Sequence, residues 1–427
     1  SRRAGGASGQ RVRSCPPPAR LLPPVLPSPP RTLRAFLVAG ALALLAGCAT
    51  VPPVQVPLAD LPAAQQARAR ENLRVFNAVW DLVHRRHYDA ALGGLDWKAA
   101  AATHAPRAAA AADDTALYEA INAMLAPLRD SHTRALAPRQ AGERRQALRA
   151  RIGFGLLKVE GEWIVSEVLP DSPAQEAGVR VGWVVVSRNR QPLGDGTRLR
   201  AEDGEVVAWE FRDAEDRLVA LTATARPIPA GSRRIVRELA DGVVYLRFDE
   251  FDRTDRRWLG EQLRRHRDAP GVVIDLRWNP GGETFSLGIT IGEFFDRSVD
   301  CGTFISRSGV RRVQHSWQWG SAEYAGKVAI LVDGATGSAA EIFAAVLQDH
   351  GRARVVGRRT AGAVLASRFH RLPDGGELQL SREDYVAPKG RRIEGAGIEP
   401  DIPVLRRLAD FRAGRDADVE AALAALR

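Results

Sequence analysis

An α/β core behind a helical front segment, with a β-rich stretch between them, is predicted by three observations on this 427-residue sequence. Residues 65–128 carry apolar side chains at helical spacing, residues 149–229 break into short β runs punctuated by glycine, and residues 232–405 alternate apolar runs with helical stretches. The chain is longer than one average domain and buries more than one core. Hydrophobic residues at 45% and charged residues at 26% are ordinary for a globular protein.

In the front segment, Leu73, Phe76, Trp80 and Val83 stand three and four apart, which predicts a helix within 65–90. Leu117, Ile121, Met124, Leu125 and Leu128 predict a second, running into "LRDSHTRA". Two helices thus form a front lobe over 65–148, their aromatic and Met positions serving as core. Beyond the β-rich stretch, "VVYLRF" (243–248), "GVVIDL" (271–276), "KVAILVD" (327–333) and "ARVVG" (353–357) read as strands of a buried, largely parallel sheet. Residues 406–427 read as a C-terminal helix. Ligands of such sheets sit beyond the carboxyl ends of the strands. There the sequence places "RWNPGGE" after one strand and "GATGS" after another.

The net charge of +10 comes from arginine, since only Lys98, Lys158, Lys327 and Lys389 are lysines. The arginines are scattered among acids and no nucleic-acid-binding signature is present, so no nucleic-acid partner is expected. Cys15, Cys48 and Cys301 are too far apart for a CxxC pair, and neither a metal nor an organic cofactor is expected. "RTLRAFLVAGALALLAGCATVPP" has the layout of a secretory signal: arginines, an apolar run from Phe36 to Leu45, and small residues before a cysteine. The run is shorter than the roughly 20 residues that span a bilayer. Residues 1–47 are therefore set apart as upstream segment and signal, and 48–64 as a tether.

The helix after "GATGS" carries Ile342, Phe343, Val346 and Leu347 on one stripe and ends at Gly351. Ser338 at its start has two readings. It is an N-cap, or it is a nucleophile beside free N–H groups and the positive end of the helix dipole.

Several segments carry resemblances. Gly153-Phe154-Gly155-Leu156 and "SPAQEAGVRVG" resemble the carboxylate-binding loop and following helix of a PDZ domain, implying peptide binding over 149–229, although Trp183 stands where that family has aspartate. Leu45-Ala46-Gly47-Cys48 resembles a bacterial lipobox. It implies lipidation of Cys48 and attachment on the periplasmic side of the cell envelope, at the outer rather than the inner membrane. An uncleaved anchor or plain signal peptide is the alternative.

"YLRFDEF", "GVVIDLRWNPGGE", "LVDGATGSAAEIFAAVLQDHGRARVVGRRTAG" and "GAGIEPDIPV", in this order, resemble the C-terminal-processing (tail-specific) serine peptidases and their tricorn-like relatives. That resemblance implies a crotonase/ClpP-like α/β catalytic core, with Ser338 as nucleophile and the N–H groups of Gly282 and Ala339 as oxyanion hole. Processing peptidases use a lysine in a T-x-G-K run as base; this chain reads Thr360-Ala361-Gly362-Ala363. The tricorn-like branch uses histidine from a Ser-His pair, which Ser131-His132 supplies, relayed to a glutamate matched by Glu394, with Glu399 a second choice. His350 lies twelve residues along the helix from Ser338, roughly 18 Å away, and is too far to act as base; His370 is the reserve candidate. Asp349 and Gln348 read as structural.

The expected function is a cell-envelope serine endopeptidase that hydrolyses extended or tail-exposed polypeptides through a Ser338 acyl-enzyme. The alternative is an inactive PDZ-bearing lipoprotein that binds peptides or partner proteins. Natural substrate, cleavage preference and oligomeric state are not readable from the sequence.

Overall fold

In the computed structural model, which describes residues 54–59, 62–146, 148–194, 201–229, 233–317 and 324–427, the four apolar runs become neighbours in one sheet. Its order is Ile235–Glu238, Val244–Arg247, Gly271–Asp275, Lys327–Val332, Arg354–Gly357 and Ile402–Pro403. The first pair is antiparallel and all others are parallel. Alternate side chains serve opposite faces. Val244, Leu246, Val272, Ile274 and Ile330 pack with Phe343 and its helix, while Tyr245, Val273, Ala329 and Leu331 pack with Val419, Ala422 and Leu426. With both faces covered, each central strand is apolar except at its ends, which is what made it readable.

A second, antiparallel sheet was not anticipated. Arg134–Leu136, Glu377–Val386, Asp300–Ser306 and Arg311–His315 follow in that order, and Ala366–Arg371 also pairs with Glu377–Val386. The Arg134–Leu136 strand stitches the front lobe to the core directly after Ser131 and His132.

The front lobe departs from the two-helix expectation. Ala63–Arg86, Trp97–Ala109, Asp114–Leu125 and Pro138–Gln146 are all helical. Trp97–Ala109 has no stripe of large side chains to mark it, because it packs through alanines, with Ala101, Ala105 and Ala108 fully buried. Trp80 and Trp97 lock this packing, each indole N–H donating to the other's carbonyl at 3.0 and 3.1 Å. The C-terminal stretch also differs from the single helix expected. Leu408–Arg412 and Ala417–Leu426 are separate helices, broken at Gly414 with φ 66°.

The β-rich stretch is an antiparallel sheet of order Phe154–Val159, Glu162–Val168, Val184–Arg188, Val206–Arg212 and Leu218–Thr224. Leu148–Arg151 pairs with Arg226–Pro229 where the chain enters and leaves it. Within "SPAQEAGVRVG", Ser172 caps the short helix Pro173–Glu176. Within the Gly153–Leu156 loop the Phe154 side chain packs inward. Its ring lies edge-on to Trp209 at 5.0 Å and to Phe211 at 6.0 Å, inside this domain's core. Trp183 joins the same cluster at 5.7 Å from Phe211. Burying a large aromatic here stabilises the fold, leaving the loop backbone as the part able to meet a ligand.

The upstream segment, Cys15, the lipobox and Cys48 lie outside the described residues. Among the described residues no helix is long and apolar enough to cross a membrane.

Candidate active site

Two turns at the carboxyl end of the parallel sheet are held together by a short set of polar contacts. Thr336 Oγ1 accepts from Asp333 N–H at 3.0 Å and donates to the Leu276 carbonyl at 2.8 Å, tying the turn after one strand to the neighbouring strand. Gly337 N–H donates to the Asn279 carbonyl at 3.0 Å. The next residue, Ser338, has φ 52° and ψ −122°. A residue with a Cβ is strained in that region, which turns normally assign to glycine.

The fully buried Asn279 shapes the opposing turn, its amide donating to the Phe248 carbonyl and accepting from Gly281 N–H, both at 2.9 Å. Gly281, at φ 104°, lies hard against the serine: a Cβ there would stand 2.6 Å from Ser338 Cβ and 2.7 Å from Ala339 N. Only glycine permits this approach. Among the described residues, neither Gly282 N–H nor Ala339 N–H has an acceptor. Ala339 is the first residue of the helix Ala339–Asp349, where N–H groups are unused and the dipole favours negative charge.

Ser338 and Glu341 form a capping box, the glutamate accepting from Ser338 N–H at 3.1 Å and the serine side chain facing the Glu341 N–H. Glu341, fully buried, accepts from Ser338 N–H at 3.1 Å, Gly362 N–H at 2.7 Å, Ala363 N–H at 2.8 Å and the Thr360 hydroxyl. Burial pushes its carboxyl up, and these four donors pull against that. Glu341 therefore fixes the Thr360–Ala363 turn to the serine turn. The serine-to-glutamate spacing of three is legible in the sequence as a capping box, but its second function, gripping a distant turn, is not.

The front lobe supplies the other half. Asp130 Oδ1 accepts from His132 N–H at 2.9 Å and Thr133 N–H at 2.5 Å, and Oδ2 meets His87 Nε2 at 2.7 Å. Burial works to raise the Asp130 carboxyl, but these partners outweigh it and hold it well below the carboxylate range. Ser131 Oγ lies 2.6 Å from His132 Nδ1 and donates to Glu394 Oε2 at 3.1 Å, while Ser131 N–H donates to Glu394 Oε1 at 3.0 Å. A hydroxyl has one proton. With it directed at the carboxylate, Nδ1 must be the protonated nitrogen, and the lone pair falls on Nε2. Burial and then Arg134 lower the His132 pKa, against the opposing effect of Asp130.

One peptide group joins the halves. The Ala363 carbonyl accepts Ser338 N–H at 2.8 Å, and Val364 N–H donates to Glu394 Oε2 at 3.0 Å. Ser338 Oγ and His132 Nε2 are not hydrogen-bonded to each other in this state. Such bonds commonly form only when substrate is present.

The remaining candidates lie apart from this cluster. Glu399 is exposed and paired with Arg359. His350 caps the far end of the helix, its Nε2 2.8 Å from the Asp300 carbonyl. His370 sits among Arg86, Arg368 and Arg382, and burial together with these charges lowers its pKa. Asp349 holds Lys389 N–H at 3.1 Å and Arg391, and Gln348 donates to the Glu399 carbonyl at 3.0 Å. Asp130, which organises the Ser131–His132 turn, carries no signal in the sequence, because its partner His87 stands 43 residues earlier.

Comparison with known proteins identifies two segments of the chain. Residues 242–404 match the family model described as peptidase family S41, and residues 68–126 match that of the tricorn protease C1 domain. The chain carries a peptidase S41 domain. It is a serine-type peptidase, a hydrolase, with homologues named carboxyl-terminal-processing proteases. One such relative, from a Picosynechococcus species, is 29% identical over 300 residues, covering 66% of this chain and 72% of that protein. Another, from a Synechocystis species, is 27% identical over 350 residues, covering 78% and 81%. The S41 peptidase also shares its fold with solved structures. The photosystem II D1 C-terminal processing protease aligns with TM-score 0.56 at 22% identity, covering 86% of this chain and 98% of that one. Mature CPAF aligns with TM-score 0.63 at 14% identity, covering 84% and 96%.

Proposed function

We propose that this S41 peptidase is a cell-envelope endopeptidase that cleaves extended or tail-exposed polypeptides, with Ser338 as nucleophile and His132 as general base. The observation that carries this is the hydrogen-bonded run His132–Ser131–Glu394, which meets the Ser338 turn through the Ala363–Val364 peptide group. Ser338 Oγ attacks the scissile carbonyl carbon as its proton passes to His132 Nε2. The oxyanion is received by the N–H groups of Ala339 and Gly282. The C–N bond breaks as His132 returns the proton to the leaving amine. Water then attacks the ester, again giving its proton to His132, and the acid leaves as Ser338 is reprotonated. Ser131 and Glu394 keep the imidazole in its acceptor tautomer and favour the imidazolium that forms transiently.

Substrate choice rests on the β-rich domain, read as PDZ-like: backbone N–H groups of the Gly153–Leu156 loop would grip a carboxyl terminus while the edge strand Phe154–Val159 pairs with the tail. The names of the curated relatives support a tail-directed role. Anchoring through Cys48 rests on the lipobox resemblance. The acidic residue that follows the nucleophile in the tricorn branch is Ala339 here, so a preference for basic side chains is not carried over.

The test of the relay is Glu394→Gln. Carboxamide nitrogen at either oxygen position meets an N–H or O–H donor, so fluorophosphonate labelling of the purified protein is expected to slow by about tenfold or more. Full-rate labelling of both Glu394→Gln and His132→Ala would sink the mechanism. No labelling of the unaltered protein, with peptide still bound, would return the chain to the inactive-binder reading.

The pH profile gives an independent check. The base form of His132 is the neutral one, and its pKa is lowered from 6.5, so protonation should shut the reaction down only below pH 6.5. Labelling rates are expected to be flat around neutrality and to fall on the acid side. An acid limb centred above 6.5 would contradict the desolvated imidazole.

A further inference from the structure

A cavity of about 470 Å³ opens where the β-rich domain, the first two strands of the parallel sheet and the C-terminal helices meet, and neither Ser338 nor His132 lines it. Its volume is that of a small-molecule site. Two of its polar groups are without partners among the described residues. Arg247, only 9% exposed, places Nη1 on Glu167 and Nε on Asp249, both at 3.0 Å, yet its Nη2 is buried with no hydrogen bond. The Ser166 hydroxyl, from the facing domain, is likewise buried and unbonded. Both are donors lining one cavity, and leaving such donors unmet costs about 1–3 kcal/mol each.

The charges of the wall point to the sign of what is missing. Its acids are all matched: Glu167 by Arg233 and Arg247, Asp410 by Arg415, Asp416 and Asp418 by Arg277. Two of its cations are not. Arg237 lies over the Tyr245 ring at 4.2 Å and has no carboxylate partner among the described residues, and neither has Arg407. Leu157, Val181, Ile235 and Phe411 supply apolar wall, with Val181 left 44% exposed.

We infer that this cavity binds a small organic carboxylate, its charged end on Arg247 Nη2 and Ser166 Oγ and its apolar body against Leu157, Ile235 and Phe411. An ionised acceptor satisfies the guanidinium better than a neutral one. The carboxylate is either a free acid or the end of a short peptide. Binding is measured directly and does not depend on Ser338 being the nucleophile.

The test is calorimetric titration of the purified full-length protein with N-acetylleucine, its amide, inorganic phosphate and an acetylated tripeptide acid ending in leucine. N-acetylleucine is expected to bind at one site, with the amide and phosphate weaker by about tenfold or more. A tripeptide acid that binds tighter assigns the site to peptide ends; equal or weaker binding assigns it to free acids. Ser166→Ala breaks no existing bond and should weaken the acid about fivefold or more; Arg247→Lys should do the same. Equal affinity for acid and amide, phosphate binding as tightly as the organic acid, no saturable binding, or unchanged affinity in Ser166→Ala would each overturn the inference.

Discussion

Ser338→Ala is expected to abolish fluorophosphonate labelling and to lower kcat/KM on a peptide by about 10⁴-fold or more, and His132→Ala to lower it by about 10² to 10⁴. Ser338→Ala removes the hydroxyl that stands beside Gly281 and the unused Ala339 N–H, and Thr336, two residues back, is committed to Leu276. The labelling of these variants separates the nucleophile from a cap. A capping serine would cost about 1 kcal/mol when replaced by alanine. Ser338 also closes a capping box with Glu341, so Ser338→Ala should lower stability by no more than that. Ser338→Gly should raise it, because φ 52°, ψ −122° suits glycine and strains serine, by about 1 kcal/mol. An inactive yet more stable Ser338→Gly is the signature of strain retained for function. A large loss of stability in Ser338→Ala, with labelling preserved elsewhere in the chain, would show that the serine is structural.

The parts of this molecule that could be read in the sequence are those whose signal is local. Val272, Ile274 and Ile330 stand in uninterrupted apolar runs because a parallel strand is covered on both faces. The second sheet was missed for a different reason. Its central strand, Glu377–Val386, opens in the alternation Glu-Leu-Gln-Leu-Ser, but Glu377, Gln379 and Ser381 are buried as well as Leu378 and Leu380, and nothing local says what covers the polar side. Glu377 is tolerated there through Arg144 and Arg145, each at 2.8 Å, and Ser381 through Asp130 at 3.0 Å. Such partners lie hundreds of positions away. The serine turn was legible from small residues before a helical stripe, and Glu394 only through a family resemblance. Nothing in "RRIEGAGIEPD" distinguishes Glu394 from Glu399 until one accepts Ser131 and the other pairs with Arg359 on the surface.

Glu341 offers the largest expected effect on the fold around the site. Replacing it with alanine strands two backbone N–H groups, those of Gly362 and Ala363, and the Thr360 hydroxyl, while Ser338 N–H keeps the Ala363 carbonyl, and the expected cost is about 3–5 kcal/mol. Glutamine, normally the gentle replacement, should be nearly as harmful. Oε1 faces Gly362 N–H and Oε2 faces both Ser338 N–H and Ala363 N–H, so an amide nitrogen in either position is set against a fixed donor. Urea denaturation should place both variants well below the unaltered protein, with glutamine closer to alanine than to glutamate. Labelling should fall in both even under conditions where they remain folded, because the Ala363–Val364 peptide group that joins Ser338 to Glu394 is released. A stable, fully labelled Glu341→Gln would mean that the turn is held by something other than this carboxylate, and the link between the two halves of the site would lose its physical basis.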